Sequence, residues 1–166
     1  MTLHSSTIPS PIGPFTYLYD IDKKVYGVFF DTQANLVEKY LEEHLESYEV
    51  KQMKKGVHDS EFKKYFKDPK YSLQNIPVVV TGTKNQIAIW NALGKIKSGQ
   101  VARYKDIAKK IGDEKAVRSV GTAIGANPVC LIVPCHRVLA SDGSLGGYSG
   151  GLDKKKWLLQ HEGVLQ

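Results

Sequence analysis

Cysteine is scarce in this chain. Its 166 residues hold two, Cys130 and Cys135, and none precedes position 130. Two cysteines cannot build a disulfide framework, so a reducing interior is the expected compartment. No apolar run is long enough to cross a bilayer, and Met1–Pro14 is polar and punctuated by proline, without a signal-peptide pattern. Metal-ligand spacing is also missing. His4, His44 and His58 are scattered and read as surface or partly buried histidines. The glycine-rich stretch Gly143–Gly151 lacks the lysine and the spacing of a phosphate loop, which argues against nucleotide binding.

What is present is an ordinary globular composition, 42% hydrophobic and 24% charged, long enough for one sizeable domain or two small ones. The net charge of +6 is unevenly spread. Residues 1–83 carry 10 Lys and Arg against 11 Asp and Glu, whereas residues 84–166 carry 13 against 6. A basic half points first to a polyanion such as nucleic acid, with a merely solvated basic surface as the competing reading.

That basic half contains Pro134-Cys135-His136-Arg137-Val138. The β-branched run Val129–Val133 before it reads as a short buried strand, which Pro134 cannot extend. Cys135 is thus expected at a strand end, with His136 beside it as a base or a positive neighbour, a layout for a reactive thiolate. Neighbours on a strand point to opposite faces, so the direct Cys–His contact that a thiol hydrolase would need is harder to make there.

Along the rest of the chain, Met1–Ser10 reads as a loose start. Phe15–Tyr19 and Val25–Phe30 form a hairpin about the polar turn Asp20–Lys24. Ala34–Glu46 and Glu61–Lys67 carry helical apolar stripes, and Asp68-Pro69 ends the second. A connector with a short strand, Val78–Val80, leads to a helix over Lys84–Ile96, with Ile87, Trp90, Ala88 and Leu93 toward a core and Ser98-Gly99 as its stop. Tyr104, Ile107, Ala108 and Ile111 share one helix face. Gly112-Asp113 supplies a turn, and a second helix over about 115–126 turns Val117, Val120, Gly121 and Ile124 inward, which together makes a helix-turn-helix candidate. Arg118 lies near the start of that second helix. Cys130 reads as a small core residue. Asp153 is the expected N-cap of a last helix, Lys154–His161, anchored by Trp157 and Leu158 and stopped by Gly163. Two readings of Glu162 stay open: solvated, or turned inward onto a histidine.

These residues resemble the O6-alkylguanine-DNA alkyltransferase family. The resemblance rests on Pro134–Val138 and on further blocks in the same order: Gly82-Thr83 with Gln86 and Trp90, Gly99-Gln100-Val101 with Tyr104, Ala116–Gly121, Asn127-Pro128, Gly147–Leu152 and Leu158–Gly163. It covers most of the second half. In the first half it rests mainly on Ser10–Pro14.

The resemblance implies direct DNA repair. The alkyl group of O6-alkylguanine, and of O4-alkylthymine, passes once and irreversibly to Cys135, after minor-groove docking and base flipping. It gives His136 the role of base through a water, Glu162 that of orienting His136, and Asn127 that of tying a hinge to the cysteine loop. Tyr104 helps turn the nucleotide and hydrogen-bonds the guanine, and Arg118 fills the vacated space. The backbone at Val138 reads the guanine edge, while Tyr148 and Ser149 wall the pocket. Gly121, Arg137 and Gly150 join the DNA- and substrate-binding set. The implied partner is double-stranded DNA, bound by a monomer that needs no cofactor, metal or membrane. The compartment would be the cytoplasm of a prokaryote or the nucleus of a eukaryote. No cysteine precedes Cys130, so neither a methyl-phosphate repair domain nor the structural zinc of some relatives is expected.

Two departures stand out: Asn85 where an aromatic is usual, and Thr122 where a second glycine is common. A non-catalytic alkyltransferase-like DNA sensor is the alternative reading, and the presence of Cys135 weighs against it. The implied fold is a small α/β domain over 1–75, resembling ribonuclease H with an antiparallel sheet, then a mostly helical, winged helix-turn-helix domain over 76–166 with the pocket against the helix-turn-helix.

Overall fold

The computed structural model describes residues 1–166, which divide into two compact units: residues 1–81 with 128–130, and residues 82–127 with 131–166. The division falls at 81/82 rather than 75/76, because Val78 bridges to Val25 and Val79 N–H donates to the Val25 carbonyl. Residues 128–130 return to the first unit because Val129 bridges to Val28.

The first unit is built on a four-stranded sheet in the order β3-β2-β1-β4, with β1 at Thr2–Ile8, β2 at Phe15–Tyr19, β3 at Val25–Phe30 and β4 at Glu49–Gln52. The β2–β3 hairpin is antiparallel, and Asp20 shapes its turn by accepting from the Asp22 and Lys24 amides. The opening segment is not loose. It is β1, an inner strand antiparallel to β2 and parallel to β4. Its Ser, Thr and His content hides it from hydropathy; the ladder partners on both sides stabilise it, and only Leu3 and Ile8 supply large apolar side chains.

Helix α1, Ala34–His44, covers the face that carries Leu3 and Leu18, with Val37, Tyr40 and Leu41. It approaches closely at Gly27, where a Cβ would stand 2.7 Å from Val37 Cγ1. Alternation along β2 puts Phe15 and Tyr17 on the other face, where Phe62 of helix α2, Asp59–Lys67, packs against both. The short strand expected at Val78–Val80 reduces to the single bridge at Val78.

The second unit is mixed but mostly helical. Helix α3, Lys84–Leu93, opens with a reciprocal cap between Thr83 and Gln86 and ends at Gly94, short of the expected Ile96. Ile89, Trp90 and Leu93 are its buried residues, and Ile87 is only half-buried. Trp90 Nε1 donates to the Ala123 carbonyl at 2.9 Å, tying α3 to helix α5, Val117–Gly125. Helix α4, Tyr104–Lys110, packs against α5 across a turn with Gly112 at φ +81°, a conformation that costs glycine little. Two-residue strands β5, Ala102-Arg103, and β6, Val138-Leu139, pair in parallel. The last helix, α6, runs Leu152–His161. Gly151 rather than Asp153 is its N-cap, and Gly163 at φ +82° follows its end.

The expected strand Val129–Val133 does not form. Only Val129 has a ladder partner; Cys130–Ile132 turn, with Leu131 at φ +72°. The run is fully buried. Its apolar composition therefore reported burial and not strand geometry, an ambiguity inherent in short apolar runs.

Candidate active site

Cys135 begins a single 3-10 turn, Cys135–Arg137, rather than closing a strand. Its amide donates to the Val133 carbonyl at 2.8 Å, and the Arg137 amide donates to the Pro134 carbonyl. The turn leads directly into β6, whose partner β5 leads directly into Tyr104 at the start of α4. This short parallel ladder sets the residues that follow the cysteine turn beside the two that precede α4. Asn127 lies just beyond α5, and its Nδ2 donates to the Val133 carbonyl at 2.8 Å, holding the turn's approach. The same side chain hydrogen-bonds the cysteine sulfur.

The turn is closed off from solvent: Cys135 is 1% exposed and His136 is fully buried. Burial pushes the Cys135 thiol up, against the pull of Asn127, the charge of Lys155 and the backbone amides of the turn. His136 Nε2 lies 2.9 Å from Glu162 Oε2. Glu162 also receives Arg137, with Nε on Oε1 at 2.8 Å and Nη2 on Oε2 at 2.9 Å, while Arg137 Nη1 donates to the Ile96 carbonyl at 2.7 Å. Burial alone pushes the Glu162 carboxyl up, but hydrogen bonds from His136 and Arg137 outweigh it and hold the group well below the usual carboxylate range.

An ionised carboxylate only accepts, so His136 carries its proton on Nε2 and its lone pair on Nδ1. Nδ1 is buried and has no protein partner. Burial also pulls His136 below the ordinary histidine value, so it is neutral near pH 7. Because Arg137 keeps Glu162 ionised, a neutral histidine beside a carboxylate is a consistent pair. The result is a base with one nitrogen fixed and the other open.

The expected place of Arg137 in the DNA- and substrate-binding set is corrected here. Its side chain is 6% exposed and fully engaged by Glu162 and Ile96. A bidentate partner and a carbonyl leave it directed into the unit rather than toward a ligand. Of the two readings of Glu162, the inward one holds.

Lys155 escaped the sequence reading. It is fully buried on α6, and Nζ donates to the Val138 carbonyl at 2.7 Å and the Gly147 carbonyl at 3.1 Å. Within Lys154-Lys155-Lys156 it looks like part of a solvated charge run. Helical spacing held the signal, since 155, 158, 159 and 162 share a face and the last three are also buried.

The remaining expected residues divide. Val138 is fully buried, and Gly150 is buried. Tyr104 is half-buried, its hydroxyl accepting weakly from the Gly147 amide at 3.4 Å. Gly146, at φ +71°, passes so near that a Cβ would stand 2.7 Å from that hydroxyl. Gly121 lies beside the same ring, where a Cβ would make an ordinary 3.7 Å contact. Tyr148 and Ser149 are half-buried, and Arg118 is exposed on the first turn of α5. No group of three or more His, Cys, Asp or Glu could hold a metal ion, and no helix is long and apolar enough to cross a membrane.

Residues 84–164 match the family model of the 6-O-methylguanine DNA methyltransferase DNA-binding domain. A methylated-DNA–protein-cysteine methyltransferase of Salmonella typhimurium is 34% identical over 99% of this chain and 98% of its own length. The chain belongs to the methylated-DNA–protein-cysteine methyltransferase family. An inducible member from Bacillus subtilis is 54% identical over 52% of this chain and 49% of its own. The Mycobacterium tuberculosis member solved in complex with DNA superposes with a TM-score of 0.80 at 31% identity, over 96% of this chain and 93% of that one. The agreement extends across both units.

Both departures from the family pattern sit on exposed positions. Asn85 lies on the exposed first turn of α3, so no core packing is lost there. The Thr122 hydroxyl donates to the Arg118 carbonyl one turn back and is accommodated on the helix surface.

Proposed function

We propose that this protein repairs alkylated DNA by moving the alkyl group of O6-alkylguanine, and of O4-alkylthymine, onto Cys135 in a single turnover. The observation that carries the reading is the pairing of a buried thiol with a neutral His136 whose Nε2 is committed to Glu162 and whose Nδ1 is open. A water between Cys135 and Nδ1 relays the thiol proton to His136. The thiolate sulfur attacks the alkyl carbon, an S–C bond forms, the C–O bond breaks, and the electron pair stays with the base. Tyr104 donates to the guanine ring as that charge develops. A soft alkyl carbon suits a thiolate, and an unassisted thiol is only a few per cent ionised at pH 7. The thioether product has no ready route back to thiol, so the protein acts once.

On the DNA side, α4, the turn at Gly112 and α5 serve as a helix-turn-helix within a winged domain. It docks on duplex DNA through the minor groove, with Arg118 in the space left by the flipped base. The exposure of Arg118, and of Lys105, Lys109, Lys110 and Lys115 on α4 and the turn before α5, supports that reading. Gly121 allows close backbone approach. Val138, Tyr148, Ser149 and Gly150 line the pocket, and Asn127 anchors the hinge. The first unit serves as a ribonuclease H-like scaffold, and the protein works as a monomer in the compartment that holds the DNA.

Incubation with a duplex carrying O6-methylguanine tests the reading. One methyl per chain, found on Cys135 by peptide mass spectrometry, is the expected result. Catalytic turnover, or a methyl elsewhere, overturns it.

A further inference from the structure

Lys155 plays no part in the relay just described, yet it is a fully buried cation beside the reactive turn. Its Nζ donates to two carbonyls, and no carboxylate lies within ion-pair distance. An ammonium removed from water and met only by carbonyl dipoles is costly to keep, and a nearby anion would offset that cost. The only carboxylate of the turn's network, Glu162, is already occupied by His136 and Arg137. α6 packs on the cysteine turn, and Lys155 and Cys135 are close enough for each to feel the other's charge.

We propose that Lys155 is a positioning residue for alkyl transfer: its ammonium supplies the charge that favours the Cys135 thiolate, while its bonds to Val138 and Gly147 hold the 146–151 loop against the cysteine turn. This rests on Cys135 as the acceptor. Its two anchors are chemically apt, because Val138 leaves the turn and Gly147 begins the stretch that walls the proposed pocket. The link is reciprocal. A thiolate raises the affinity of Lys155 for its proton, and burial pulls the lysine the other way, down to about 8. The thiol and the ammonium therefore titrate as a coupled pair, with the neutral His136 and the fixed Arg137–Glu162 pair as the other titratable and charged groups around the turn.

The test uses the full chain in a Cys130→Ser background, so that absorbance at 240 nm reports one thiolate. Lys155→Gln keeps an N–H donor for the carbonyls and removes the charge. Its thiolate midpoint should move up by about one pH unit or more, with about tenfold slower transfer from methylated duplex at pH 7 that recovers as pH rises. An unchanged midpoint overturns the proposal, even if the variant is less stable. A second measurement needs no substitution at Lys155. Methylating Cys135 removes the thiolate, so the Lys155 ammonium, followed by NMR of labelled lysine, should lose its proton at lower pH than in the unmodified protein. An identical titration before and after methylation also overturns the proposal. If the unsubstituted protein carries no methyl on Cys135 at all, it is the underlying reading that fails.

Discussion

The two units each contain a buried histidine paired with a glutamate, and the pairs differ in one respect. In the first unit, His58 Nδ1 lies 2.7 Å from Glu61 Oε1 and Nε2 lies 2.7 Å from the Lys23 carbonyl, so both ring nitrogens are used. In the second, His136 Nε2 meets Glu162 and Nδ1 has no hydrogen-bond partner in the protein. The first ring pins the 20–24 turn to α2. The second keeps a buried ring nitrogen unpaired, one residue from the thiol in sequence. A His–Glu pair is thus not by itself a mark of catalysis; the unoccupied nitrogen and its neighbour decide. A second carboxylate in the first unit, not the one paired with His58, makes a further contrast with Glu162. Asp59, next to His58, is satisfied by Ser6, Tyr17 and the Gly56 amide, all uncharged, whereas Glu162 is held by a guanidinium that keeps it ionised.

The largest expected effect separates the two histidines. His136→Ala should slow transfer about 10²–10⁴-fold at pH 7 in a single-turnover assay. His58→Ala should leave the rate of the folded protein unchanged and lower only its stability. A large rate loss in His58→Ala would break the comparison.

Next come the carboxylates, read by urea denaturation. Glu162→Ala leaves Arg137 buried and unpaired and should cost about 3–5 kcal/mol. Asp59→Ala leaves neutral donors and should cost about 1–3 kcal/mol. Equal losses would mean that the buried guanidinium adds nothing.

The pH dependence sharpens the contrast further. Glu162 is depressed in the fold, so its contribution is present above the ordinary carboxylate value and is lost as pH falls through its lower folded value. His136 is depressed too, so stability also falls once pH drops below the ordinary histidine value, where the unfolded chain takes up a proton that the folded histidine refuses. Stability should decline from about pH 6.5 downward, and His136→Gln should flatten the upper part of that decline. An unchanged profile in that variant would count against a neutral buried histidine.

Smaller effects concern DNA and the loop. Arg118→Ala should weaken repair of duplex DNA more than dealkylation of a free guanine analogue, because only the duplex requires flipping; equal losses would count against the finger role. Gly146→Ala places a side chain at φ +71° against the Tyr104 hydroxyl and should cost about 1–3 kcal/mol in the same urea assay.

Much of the fold was legible in local pattern. The β2–β3 hairpin, α1, α2 and the pair α4–α5 carry their periodicity and turn residues in the sequence. β1 was not legible, because a Ser/Thr-rich strand is stabilised by partners distant in sequence. β4 was equally hidden, since all four of its residues are exposed. The Val129–Val133 run misled because burial and strand pairing give the same apolar signature, and only the presence of a partner separates them.

At the site, the residue types at Cys135, His136, Tyr104 and Asn127, and their match to one family, were written in the sequence by itself. So was the basic second half, because composition needs no coordinates. Tertiary structure alone decided that Glu162 turns inward, that Arg137 is spent on it, which nitrogen of His136 remains open, and that Lys155 is buried rather than solvated. Those are questions of which groups lose water together. Desolvation is set by residues brought close from distant parts of the chain, so no local stretch of sequence contains it.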